Sequence, residues 1–122
     1  MSREIFVFGS NLRGVHAGGS ALHAYKHHGA VMGEGEGLHG DSYALPTLDH
    51  NMRIMTLREI KGQVDKFLVF AKEHPDWTFN VVAIGCGIAG YVPAQIAPMF
   101  ADAPDNCALS GEFKEVLEAQ VA

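Results

Sequence analysis

Two short apolar runs, IFVF at 5–8 and VVAI at 81–84, each end on a glycine. Unbroken apolar runs of this length read as strands buried on both faces. Such strands belong to parallel sheets, and parallel strands need long crossovers to connect them. The chain supplies those crossovers as helical patterns. HAGGSALHAYKHHG (16–29) reads as a glycine turn feeding a helix, with Ala21, Leu22, Ala24 and Tyr25 at helical spacing and Gly29 as its stop. AVMGEGEGLHGDS (30–42) reads as a flexible polar loop. YALPT (43–47) reads as a second strand ended by Pro46.

TLREIKGQVDKFLVFAKEHP (56–75) carries the clearest helix signal. Thr56 and Glu59 form a capping box, and Leu57, Ile60, Val64, Phe67, Leu68 and Ala71 share one face. WTFNVVAI (77–84) is the third strand. PAQIAPMFA (93–101) starts a helix with Pro93 at its first position. NCAL (106–109) is a last short strand, and SGEFKEVLEAQVA (110–122) a peripheral C-terminal helix. The order is β-α-β-α-β-α-β-α, which predicts an α/β domain with a mainly parallel sheet. A chain of 122 residues fits one domain, spanning 1–122 with its core at about 4–109.

In open α/β sheets ligands bind beyond the carboxyl ends of the strands. The glycine-rich segments follow or flank strands, so all three are expected at that edge. The segment 85–91 (GCGIAGY) can present successive backbone amides to a phosphate, because glycine lacks the Cβ that obstructs close approach. The helix starting near Pro93 adds its positive end. Gly18 and Gly19 can do the same from the opposite side. No G-x-x-x-x-G-K-[ST], dinucleotide fingerprint or G-x-S-x-G elbow occurs.

The net charge is -5, with 9 basic and 14 acidic residues, which argues against a nonspecific nucleic-acid surface. Backbone dipoles still allow a small anion. The two cysteines, Cys86 and Cys107, form no disulfide framework and no metal spacing, so a cytoplasmic location is expected. The opening MSREIFVFGSN lacks a leader pattern, and no segment has the length of a membrane span.

Three segments in order, VFGSNLRGVHAGGSALHAY, YALPT and VVAIGCGIAGY, resemble the macrodomain family, over roughly residues 4–101. The similarity is to compact phage-related members, nearest the branch of terminal and DNA ADP-ribose glycohydrolases. It implies a three-layer α/β/α fold and an ADP-ribose-type nucleotide as the small-molecule partner. It implies no cofactor, and nucleic acid only as an ADP-ribosylated substrate. By this resemblance Asn11 contacts the distal ribose and Gly18 and Gly19 form the first ribose and phosphate loop. Gly85, Cys86, Gly87, Ile88, Ala89, Gly90 and Tyr91 form the diphosphate loop, with Tyr91 stacking on or walling off the distal ribose, or else packing as a core aromatic at the start of a helix. Two positions depart from the hydrolase branch. Leu48 stands where that branch has a lysine, and Ala89 or Gly90 where it can have an acid. An earlier family strand carrying an adenine-binding aspartate has no counterpart in the sequence.

The histidines carry less. His23 and His27 share a helical face, but HAYKH lacks the glutamate of H-E-x-x-H and a third ligand, so no metal is expected. His16 sits beside the first glycine turn, as a phosphate contact, a proton donor or a plain loop residue. His39, Asp41 and Asp49 are placed in loops expected at the same edge, where an aspartate could act as a general base. Cys86 near a helix start could have a lowered pKa, against a plain space-filling role. Three functions follow. The first is binding of ADP-ribose or a related nucleotide without turnover, with sequestration of a nucleotide signal as the role that the resemblance to phage-related members implies. The second is an ADP-ribosyl hydrolase or ADP-ribose-1″-phosphate phosphatase using His16, Asp41 or Asp49. The third is an interaction module with vestigial loops.

Overall fold

The computed structural model describes residues 3–121. Five strands form one sheet: β1 (Glu4–Asn11), β2 (Gly37–His39), β3 (Ser42–Leu48), β4 (Thr78–Val81) and β5 (Cys107–Leu109). Their spatial order is β2-β3-β1-β4-β5. β1 pairs parallel with β3 and β4, and β4 parallel with β5, while β2 pairs antiparallel with β3. The described residues also form four α-helices: α1 (Gly19–His27), α2 (Leu57–Lys72), α3 (Pro93–Ile96) and α4 (Gly111–Val121). The α/β class and the mainly parallel sheet therefore agree with the sequence pattern. No helix among the described residues is long and apolar enough to cross a membrane.

Period-two alternation divides the core between the two faces of the sheet. Ile5 and Val7 of β1, Tyr43 and Leu45 of β3, and Phe79 and Val81 of β4 share one cluster with Ile60, Val64, Phe67, Leu68 and Ala71 of α2. Phe8 of β1 and Ala44 of β3 share the other with Ala21 and Ala24 of α1. The alanines let α1 approach its face closely. α2 forms as its signals dictate: the Thr56 hydroxyl accepts from the Glu59 amide at 3.1 Å, and the Glu59 carboxylate from the Thr56 amide at 2.9 Å.

Several boundaries differ from expectation. β1 does not stop at Gly9; it runs to Asn11, with a register shift between Ser10 and Asn11. Pro46 does not end β3. β2 pairs only as far as Ala44, so the missing amide of Pro46 breaks no ladder on that side. β4 ends at Val81; the Val82 amide still donates to the Val7 carbonyl at 3.2 Å, and Ala83 and Ile84 leave the ladder. The segment 30–42 is not simply a polar loop, because it contains β2. Tyr25 faces solvent, since a nine-residue helix needs only a narrow stripe to cover the sheet. The helix after Pro93 is a single turn followed by a 3-10 turn at Ala97–Phe100, where Pro98 cannot continue the α-helical ladder. α4 is less peripheral than expected: Phe113 is fully buried in the larger cluster.

Candidate functional site

β1 and β4 are adjacent, yet their connections leave for opposite faces. The chain after β1 enters α1 over the smaller cluster, and the chain after β4 enters α3, whose Ile96 lies in the larger one. Such a switch point opens a crevice at the carboxyl ends of the strands. A cleft of about 200 Å³ lies there. Gly9, Ser10 and Asn11 of β1, Thr47 and Leu48 of β3, and Val82 to Ile84 after β4 form its floor. One wall is Val15 and Ala17 to Ala21; the other is Gly85, Gly87, Ile88 and Ala89, with Met52 from a third loop.

Seven of the expected binding residues thus meet in one cleft: Asn11, Gly18, Gly19, Gly85, Gly87, Ile88 and Ala89. Cys86, Gly90 and Tyr91 do not line it. Tyr91 is a brace instead: its hydroxyl donates to the Met55 carbonyl at 2.6 Å and its amide to the Gly85 carbonyl at 2.9 Å. The Cys86 side chain packs at the larger cluster, and burial, reinforced by Glu112, pushes its thiol pKa up. That agrees with the space-filling alternative and not with a lowered pKa, because α3 is one turn long and offers little dipole.

Backbone amides without a protein acceptor belong to residues on both walls. α1 has no side-chain cap at Gly18, so the amides of Gly19, Ser20 and Ala21 lack helical acceptors. Across the cleft, the amides of Gly87, Ile88 and Ala89 donate to no protein acceptor among the described residues. The glycines differ in kind. Gly85 is required by the fold: its φ is +80°, and a Cβ would lie 3.3 Å from Ile96. Gly18 and Gly87 have no such need, since a Cβ on either would meet no heavy atom within 4 Å. Gly62 and Gly111 are equally free, but they sit on helices α2 and α4 and do not line this cleft.

Asn11 is buried, and its side-chain amide closes the loop behind it. Nδ2 donates to the Val15 carbonyl at 2.9 Å, and Oδ1 accepts from the Val15 amide at 3.0 Å. One N–H and one lone pair remain. Gly35 presses on the same place, where a Cβ would fall 1.9 Å from the Asn11 carbonyl oxygen. Part of the middle glycine segment therefore backs the end of β1. The rest of it does not reach the cleft edge: Gly40 packs on Gly29, beside Asp41, at the amino end of β3.

The proposed acid–base candidates also lie elsewhere. Asp41, which binds Arg3 Nε at 2.8 Å, and His39 are at the opposite end of β3 from the cleft. Asp49 follows β3 but does not line the cleft. Its Oδ1 accepts the amides of Asn51 at 2.8 Å and Arg53 at 2.9 Å. The Arg53 amide, helped by Asn51 and nearby positive charge and opposed by desolvation, lowers its pKa. His16 is wholly buried edge-on to Phe8, with Nε2 3.0 Å from the Val31 carbonyl oxygen and 3.1 Å from that of Glu34. It pins the 31–34 loop. Its Nδ1 is buried without a partner. His23 and His28 touch through Nε2 atoms at 3.3 Å beside Phe6, and no group of three ligating side chains is arranged for a metal among the described residues.

Among the described residues, no titratable side chain lines the cleft. Sequence reading missed Ser10, Val15, Ser20, Thr47 and Met52. Ser20, directly after Gly18–Gly19 at a helix start, carried a usable signal; the others come together only in three dimensions. Comparison of the chain with protein-family models, curated proteins and solved structures gave no match.

Proposed function

We propose that this protein is a macrodomain-like domain that binds ADP-ribose or a related nucleotide without turning it over. The observation that carries the reading is the pairing of Gly18 and Gly87 on facing walls, each beside uncommitted amides and each free of any internal steric need for glycine. A phosphate chain entering between them gives that bareness a purpose. Helices against both faces of the sheet support the three-layer part of the reading. The cleft, at about 200 Å³, is smaller than a typical ligand pocket of roughly 300–1,000 Å³, so it suits a ribose-phosphate portion with the rest of the nucleotide across its mouth.

Binding is favoured over hydrolysis because general acid–base chemistry needs a titratable group within reach of the reacting atoms. Leu48 and Ala89 occupy the two places where the hydrolase branch has its functional side chains, and both line the cleft. A cytoplasmic setting rests on the two free cysteines. The test is calorimetry against ADP-ribose, its 1″-phosphate, NAD and ADP, followed by chromatography of each mixture. ADP-ribose should bind and be recovered unchanged. Product formation would replace the binder with an enzyme, and the absence of any binding would leave an interaction module.

A further inference from the structure

Met52 is the one non-glycine residue among the described residues with positive φ, at 61°. It sits in a tight hairpin after β3. The Met52 amide donates to the Asp49 carbonyl at 3.0 Å, the Asp49 amide to the Arg53 carbonyl at 2.9 Å, and Leu48 bridges antiparallel to Ile54. The pattern is a turn followed by a left-handed residue, a position that normally takes glycine or asparagine. Methionine is strained there. Its side chain is also 38% exposed and lines the cleft. Val15, 40% exposed, and Ile88, 82% exposed, line the same cleft from its two walls. Strained backbone bearing an exposed apolar side chain at a candidate site implies that the side chain matters there.

We propose that Met52, with Val15 and Ile88, forms an apolar clamp across the cleft mouth that grips the nucleobase of the ligand by its faces. The proposal rests on the nucleotide-binding reading above. A thioether packs favourably against an aromatic ring, and aliphatic side chains cover the remaining ring surface. No carboxylate lines the cleft to read the edge of a base, and Asn11 commits one donor and one acceptor to Val15. Recognition therefore rests mainly on the faces of the base and discriminates little between adenine and guanine.

The test compares the parent protein with Met52→Gly and Met52→Asn, both suited to the left-handed backbone. Thermal unfolding and calorimetry are read with ADP-ribose, its guanine counterpart and ribose 5-phosphate. Relief of strain should raise Tm in both variants by roughly 2–5 °C. Loss of the apolar contact should weaken ADP-ribose binding roughly five- to tenfold and its guanine counterpart equally. Ribose 5-phosphate, which lacks a base, should bind the variants and the parent alike. Variants that bind ADP-ribose as tightly as the parent would overturn the clamp and leave nucleotide binding standing. A parent that binds neither ADP-ribose nor ribose 5-phosphate would overturn both. A lower Tm in both variants would make Met52 a packing residue and overturn the clamp as well.

Discussion

Gly87→Val separates ligand approach from folding more cleanly than any other change in the cleft. A Cβ at this position meets nothing within 4 Å, and the backbone is not in the left-handed region. The Gly87 carbonyl still accepts from the Gly90 amide, a bond the substitution leaves in place. Restricting the unfolded chain offsets part of any loop strain, so stability should change by no more than about 1 kcal/mol. For a domain of this size that is a Tm shift within about 5 °C.

Binding should respond quite differently. A β-branched side chain stands over the amides of Gly87 and Ile88 and denies a diphosphate one or two charge-assisted hydrogen bonds. Each is worth about 1.5–3 kcal/mol, so affinity for ADP-ribose should fall at least about tenfold and up to roughly ten-thousandfold. Gly85→Val is the contrasting control. Its φ of +80° and the contact at 3.3 Å with Ile96 require both backbone strain and displaced core, costing about 2–5 kcal/mol of stability. Thermal unfolding read beside calorimetry, with binding expressed per folded molecule, distinguishes the two variants. Normal ADP-ribose binding by Gly87→Val would falsify the phosphate-loop reasoning, whatever its Tm.

Three further outcomes are expected. Asn11→Asp should lose about 1–3 kcal/mol of stability by denaturant unfolding, because a carboxylate oxygen replaces the donor to the Val15 carbonyl; its affinity should drop more for ADP-ribose than for ADP, and equal drops would restrict Asn11 to shaping the loop. Asp49→Asn should be less stable than the parent at neutral pH, since the native pKa of Asp49 lies below its ordinary 3.8; the gap is complete above that value and should close only as pH falls through the lower native value, so a gap independent of pH down to acid unfolding counts against the charge as its cause. Thr56→Ala should cost about 1 kcal/mol in a urea titration by removing the capping box of α2, and an unchanged midpoint would show that the cap is redundant.

The parts legible in the sequence are those fixed by neighbours along the chain. Thr56 and Glu59 are three residues apart and bond only to each other, so α2 was readable from its own residues. The apolar stripe from Leu57 to Ala71 spans four turns and leaves its facing unambiguous. α1 is half as long, and Tyr25 fits the same stripe in sequence while the alanines alone meet the sheet. β2 has three residues and no alternation long enough to detect. The course of β3 through Pro46 depends on where its neighbour stops, which Pro46 itself does not encode. In the cleft, the walls were legible because glycine marks backbone approach. The floor and rim were not: Thr47, Met52 and Val15 lie on three separate segments that only the sheet brings together.

An acidic protein with an uncharged cleft can hold an anion only if the favourable potential is local. Here every candidate donor is a backbone amide or a neutral side chain, and the 14 acidic residues contribute none of the lining. Amides are fixed in place by the turns that present them, so they need little reorganisation when a phosphate arrives. They also offer no proton to exchange near neutral pH, unlike histidine or a carboxylate. On the nucleotide-binding reading proposed above, the feature that would admit a diphosphate to this cleft would also leave it without a titratable group for hydrolysis. On that reading, selectivity would come from geometry: the depth between Gly18 and Gly87, the Asn11 amide at the floor, and the apolar side chains at the mouth.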